Sequence, residues 1–315
     1  MKEIRYLLAV ALKQNATELF IMAGRPLTIR VDGHLQAIEK EMLTPNDTLG
    51  YIKNLYKFSE RQFPDKGVLD DNFTCSVAGL ARFRICAFRQ RSSYAATVKV
   101  VQFGIPNSKK LGIPDEVMQV AEAKSGLVVV TGSAGSGKST TVSCLINSIN
   151  KTQDKHIVTI EDPIEYIHHN EASIVTQREI GTDSMSFKEA LRSAMRQSAN
   201  VIYVSEMTNA ETAQVLYDAA CTGRLVITTM HIQGAQAALK NFLSYLPDGR
   251  DLTNTVKAIV SQQLVYSING KLIPVFEVLG SDGTWLLDKD TYAKRLFSEG
   301  LIDHGVFSEL HGNPG

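Results

Sequence analysis

Residues 126–150 read Gly126-Leu-Val-Val-Val-Thr131, then Gly132-Ser133-Ala134-Gly135-Ser136-Gly137-Lys138-Ser139, then Thr140 through Asn150. The middle segment has the form GxxxxGK[ST]. An apolar run precedes it and a helix-compatible stretch follows, so the pattern predicts a strand, a glycine-rich loop and a helix in succession. Glycines let main-chain N–H groups curl around phosphate oxygens, and a helix N-terminus adds its positive dipole end. Gly132 to Thr140 are therefore the candidate nucleotide-binding residues. Lys138 would reach the β- and γ-phosphates, and the Ser139 hydroxyl would hold Mg2+. The ligand this loop calls for is a nucleoside triphosphate.

Downstream, strands predicted over 157–160, 201–204 and 225–230 alternate with helical segments. Near-continuous apolar strands separated by helices indicate a parallel sheet covered on both faces. In such sheets ligands bind outside the carboxyl ends of the strands. Four strand ends carry chemistry: the glycine loop with Lys138, then Glu161-Asp162-Pro163, then Ser205-Glu206, then His231. Triphosphate hydrolysis needs an oriented water and neutralised phosphate charge. Glu206 is the candidate to position the water. Glu161 and Asp162 would share the base role or hold a water of the magnesium shell, and His231 would sense the γ-phosphate. The bland alternatives are a loop charge at Glu206, a helix cap at Asp162 and a structural histidine at 231.

Upstream lies a mixed α/β region of about a hundred residues. Helical spacing is predicted over 1–14 and 45–57, with short strands at 19–22 and 27–31 that turn at Asp32-Gly33. Three longer strands follow at about 68–76, 81–90 and 94–102. Arg82 and Arg84 share one strand face, and the same period-two spacing would pair Arg89 with Arg91. Such a face is either solvated or offers an arginine to a neighbouring subunit's nucleotide. The predicted domains are 1–103, a linker at 104–113 that overlaps the Gly/Pro/Asn-containing stretch Phe103 to Ser108, a nucleotide-binding domain at 114–280 and a helical tail at 281–315. Two helical segments and a hairpin around Asn269-Gly270 are expected after His231.

The bulk numbers agree with a soluble enzyme. Lys plus Arg equals Asp plus Glu at 33 each, so a strongly basic nucleic-acid-coating surface is not expected. The cysteines at 75, 86, 144 and 221 show no metal spacing and read as small buried residues of a reducing cytosol. No apolar run is long enough to span a bilayer, so membrane contact would come only through partners.

The combined segments resemble the secretion-type hexameric ATPases, most closely the PilT-type twitching-motility ATPases of type IV pili. The resemblance rests on Gly132–Thr140, Thr159 to Tyr166, Gln177 to Gly181, Ser186 to Arg196, Glu206-Met207 and Thr222 to His231. In the first domain it rests on Ile29 to Gly33 and Ala81 to Arg84. It implies a RecA-like P-loop ATPase core with a smaller N-terminal PAS-like α+β domain, and six subunits in a ring. It further implies ATP and Mg2+ as ligands and a pilus or secretion platform protein at the inner membrane as partner. By resemblance Glu206 is the Walker B glutamate, Glu161 the Asp-box acid, and Arg82 an arginine contacting the next subunit. The chain departs from the family at Ser198-Ala199-Asn200, Thr208-Asn209, Arg224, Ser92 and Phe20, and 281–300 lacks the family's retraction motif. Those departures imply reduced turnover or, alternatively, an accessory ATP-binding subunit. A RecA-like nucleic-acid motor is a further alternative, motivated by the arginines.

Overall fold

The computed structural model describes residues 3–31, 33–77, 81–101, 104–246, 255–280 and 282–311. Asp32 of the first turn, Phe103 of the linker and Ser281 at the start of the tail lie outside them. The chain divides into two compact units, Met1–Phe103 and Gly104–Gly315.

Among its described residues the first unit is one antiparallel sheet with two helices. Its elements are α1 (Ile4–Lys13), β1 (Glu18–Ile21), β2 (Thr28–Val31), β3 (His34–Ala37), α2 (Pro45–Phe58), β4 (Asp70–Val77), β5 (Ala81–Gln90) and β6 (Ser93–Val101). The strands lie in the order β3-β2-β1-β6-β5-β4. Along β5 the buried residues are Ala81, Phe83, Ile85 and Ala87, so Arg82 and Arg84 fall together on the opposite face. The expected pairing of Arg89 with Arg91 fails for a conformational reason. Arg89 is at the exposed end of β5, its guanidinium 5.5 Å from the Tyr94 ring. Arg91 has left the strand: with φ of 44° and 61°, Arg91 and Ser92 form the two-residue turn into β6. Such turns require positive φ at both positions, and here neither residue is Gly or Asn, so the break between the two strands was legible but its two-residue form was not.

The second unit contains α3 (Asp115–Met118), a 3-10 turn (Gln119–Glu122), β7 (Gly126–Thr131), α4 (Lys138–Thr152), β8 (His156–Glu161), β9 (Ile174–Glu179), α5 (Phe187–Arg196), β10 (Val201–Val204), α6 (Ala210–Cys221), β11 (Leu225–Met230), α7 (Ala235–Ser244), β12 (Val256–Tyr266), β13 (Leu272–Gly280), β14 (Trp285–Leu287), α8 (Lys289–Ser298) and α9 (His304–His311). The sheet order is β14-β13-β12-β7-β11-β10-β8-β9, parallel from β12 to β9 and antiparallel beyond.

Both faces of this sheet are buried, and the strands alternate between them. In β7, Val128 and Val130 join the core under α4, while Leu127 and Val129 join the core under α5, α6 and α7. The same division holds for Ile157 against Val158 and for Tyr203 against Ile202. That explains why these strands read as continuous apolar runs. From α4, Leu145, Ile146 and Ile149 are buried, at about 1.5–3 kcal/mol each. The tail contributes Tyr292, Leu296, Ile302 and Leu310 to the same core, so it is packed structure.

One expectation is overturned here. Between His231 and Asn269 the described residues hold one helix, α7, and residues 256–266 form the long strand β12. Its buried Val256, Ile259 and Val260 are β-branched, and β12 finds two neighbours, β7 and β13. The hairpin at Asn269-Gly270 does form, joining β12 to β13. Strands β9 and β14, at the two edges, were not anticipated.

Candidate functional site at the carboxyl edge of the sheet

The parallel strands end on a common line: β7, β8, β10 and β11 are in register, with Thr131 beside Met230 and Val204 beside both Thr228 and Ile160. The four chemistry-bearing segments of the sequence therefore emerge on one edge.

The glycine loop begins at β7. Gly132, Gly135 and Gly137 have φ of 147°, 77° and 87°, a conformation that favours glycine. Ser133, Ala134 and Gly135 form an exposed tip, Ser136 is buried, and Ser139 and Thr140 are half-buried in the first turn of α4. Helices α5, α6 and α8 are capped by Ser186, Asn209 and Asp288. In contrast α4 begins at Gly137 with no side-chain cap, leaving its terminal N–H groups for an outside acceptor. The Ser136 hydroxyl oxygen is also buried without a partner among the described residues. These features fit an anion with several acceptor oxygens.

Lys138, Glu206 and His231 are brought together. Lys138 is buried, its Nζ donating to the carbonyls of Gly132 (2.9 Å) and Ser133 (2.8 Å) and lying 3.3 Å from His231 Nδ1. Burial lowers the Lys138 ammonium below its ordinary value, opposed by the negative charges of Glu206 and Glu165. His231 Nε2 lies 3.4 Å from Glu206 Oε1. With an ammonium donor at Nδ1, the imidazole proton belongs on Nε2, facing the carboxylate. Glu206 and His231 keep 41% and 46% of their side chains exposed, so this relay opens to solvent. The Glu206 segment is tied on both sides: Ser205 N–H donates to Ile160 O (2.9 Å), Met207 N–H to Thr229 O (2.9 Å) and the Thr229 hydroxyl to Ser205 O (2.6 Å).

Glu161, at the end of β8, is buried and accepts from the Thr159 hydroxyl at 2.7 Å and from Gln177 Nε2 at 3.1 Å. Desolvation outweighs these bonds and pushes its carboxyl up to about 7. Asp162 is exposed, with its N–H on Ser205 Oγ at 3.3 Å, and no helix follows it to be capped. Arg82 is in the first unit, where its Nη2 donates to Thr74 Oγ1 at 2.9 Å. Of the cysteines, Cys75 and Cys144 are buried as expected, Cys86 is half-buried and Cys221 is exposed at the end of α6.

The Glu161 environment predicts a pH dependence of stability. The folded protein keeps this proton up to about pH 7, whereas the unfolded chain releases it near 4.5. The folded state thus binds more protons across that window, and stability falls as pH rises through it. Glu161→Gln removes the titration. Its unfolding free energy should exceed that of the wild type at pH 8, by an upper limit of about 3 kcal/mol, with the gain fading by pH 5. A difference that stays constant from pH 5 to 8 would rule this out.

Several contributors escaped the sequence reading. Gln177 links Glu161 to the carbonyl of Tyr166, at 2.8 Å, from the unanticipated strand β9. Tyr166 OH meets Thr140 Oγ1 at 2.8 Å, and Gln262 on β12 bonds both the loop and α4. Glu165 acts on Lys138 and Glu161 through its charge. The family departures also find local roles. Asn200 and Arg224 precede β10 and β11, at the end of the strands away from the site, where Asn200 Oδ1 accepts from His156 N–H and Arg224 Nη2 donates to Met195 O. Asn209 caps α6.

Among the described residues, no helix is long and apolar enough to cross a membrane. The family model for type II/IV secretion system proteins matches residues 1–274. The type IV pilus ATPase PilU of Pseudomonas aeruginosa is 36% identical over 276 residues, covering 85% of this chain and 72% of that protein. The type IV pilus retraction ATPase PilT of the same organism is 34% identical over 283 residues, covering 88% and 82%. The crystal structure of the pilus retraction motor PilT with bound ADP matches with a TM-score of 0.89 at 32% identity, covering 100% of this chain and 98% of that one. Matched by that family model over residues 1–274, this chain belongs to the type II/IV secretion system protein family.

Proposed function

We propose that this protein is an ATP-hydrolysing motor of type IV pilus dynamics. The observation that carries the reading is the Lys138–His231–Glu206 relay beside a glycine loop whose helix lacks a side-chain cap. In this reading the loop amides of Gly132 to Thr140 and the Lys138 ammonium hold the triphosphate. Glu206 orients the attacking water and takes its proton, and His231 holds Glu206 in place. Glu161, poised near neutral pH, serves as an alternative proton acceptor. Mg2+, held by the Ser139 hydroxyl and through water by Asp162, would neutralise charge on the β- and γ-phosphates. Arg82 would act on the nucleotide of a neighbouring subunit in a ring of six, at a pilus or secretion platform on the cytoplasmic face of the membrane.

The altered positions Asn200 and Arg224 sit away from the strand ends that carry Glu206 and His231, which favours an active enzyme over a purely accessory subunit. The deciding experiment combines ATP turnover with mass measurement in solution. The expected result is Mg2+-dependent turnover by an oligomer, unaffected by single-stranded DNA or RNA. Nucleotide binding by a monomer with no turnover would replace the motor with the accessory reading.

A further inference from the structure

Gln262 reaches the glycine loop from β12, which runs parallel to β7 on the side away from β11. It is buried, and its carboxamide is used at both ends. The Thr141 hydroxyl, in the first turn of α4, donates to Oε1 at 2.7 Å, and Nε2 donates to the Ser136 carbonyl at 2.7 Å. The same residue shapes two of the glycines. A Cβ on Gly132 would lie 2.1 Å from the Gln262 main-chain oxygen, and one on Gly137 would lie 2.9 Å from Nε2. One residue thus meets the start of the loop, its end and the helix behind it.

The C=O and N–H of a trans peptide point in opposite directions. With the Ser136 carbonyl turned onto Gln262, the N–H of Gly137 is aimed away from it, toward the concavity in which successive amides collect an anion. We infer that Gln262 is a positioning residue for nucleotide binding: its carboxamide fixes the Ser136–Gly137 peptide so that the Gly137 N–H faces a phosphate oxygen, and Thr141 locks that setting to α4. It acts through the loop without touching the nucleotide. The inference rests on the reading that residues 132–139 hold a nucleoside phosphate.

The test is titration of Mg-ADP into the full chain, with steady-state ATP kinetics and melting curves, for wild type, Gln262→Leu, Gln262→Asn and Thr141→Val. Gln262→Leu keeps the volume and removes both bonds, and ADP should bind about 10- to 30-fold more weakly. KM for ATP should rise in step while kcat changes less, because the lost grip serves ground state and transition state alike. Gln262→Asn, one methylene short, should fail to rescue. Thr141→Val removes one bond and should weaken ADP by about 2- to 10-fold. A Gln262→Leu protein that melts lower but binds ADP like the wild type overturns the inference, leaving a packing role. If that variant does not fold, wild-type affinity in Thr141→Val overturns it. A wild-type protein that binds no ADP overturns the nucleotide reading as well, an outcome distinct from equal binding by all four proteins.

Discussion

Glu206→Gln is expected to slow ATP turnover by about 10²- to 10⁴-fold while leaving nucleotide affinity near that of the wild type. The amide keeps the shape of the carboxylate and can still accept the His231 Nε2–H across the 3.4 Å gap. What it loses is the ability to take a proton from water. Because its segment is pinned by Ser205, Met207 and Thr229, the substitution has little room to relax into another arrangement. Single-turnover hydrolysis alongside ADP titration separates the two effects. Undiminished turnover would remove Glu206 from the role and shift attention to Glu161, whose raised pKa already suits it to proton transfer near neutrality.

Lys138→Ala is expected to take turnover below detection and to weaken Mg-ATP binding by about 10- to 10²-fold for each charge-assisted hydrogen bond lost to phosphate. The fold should survive. The substitution gives up two bonds to loop carbonyls, yet it also relieves a buried cation of a desolvation strong enough to lower its pKa. Those changes oppose one another, so the melting temperature should move by only a few degrees. Calorimetric titration decides the matter. Affinity within threefold of the wild type would mean that phosphate is held by main-chain amides alone.

The part of this molecule that was legible in the sequence is the part governed by local rules. The GxxxxGK[ST] loop announces its own geometry because each glycine answers a left-handed φ. The runs Leu127–Thr131 and Leu225–Met230 announced buried strands because both faces are covered. The meeting of Lys138, Glu206 and His231 followed from one further rule, that parallel strands end together. Illegible were residues whose roles depend on long-range pairing. Gln262 carries no motif, and Gln177, although it opens a segment that carries the family resemblance, had no role assigned; each becomes meaningful only once β12 and β9 are placed in the sheet. The hairpin at Asn269-Gly270 was legible, but the length of β12 before it was not, because a lengthy amphipathic strand and a helix share much of their composition. The break between the strands at 81–90 and 94–102 was legible, but not that it is a two-residue turn that takes Arg91 off the Arg89 face, because Arg91 and Ser92 are not residues that usually supply positive φ.

The strand order has a consequence for how this protein is made. β7 is held between β11 and β12, and the amide that steadies the glycine loop is 126 residues downstream of the carbonyl it bonds. At about 5–20 residues per second, a ribosome takes on the order of ten seconds to cover that distance. During this interval the emerging chain already displays its complete glycine motif, but of the neighbours of β7, β11 comes only at residues 225–230 and β12 last. A nascent or truncated chain ending before β12 therefore carries the signature of a nucleotide site without the scaffold that shapes it. On the proposed reading, competence for nucleotide arises late in synthesis, after the segments that carry Lys138, Glu161, Glu206 and His231 have been laid down.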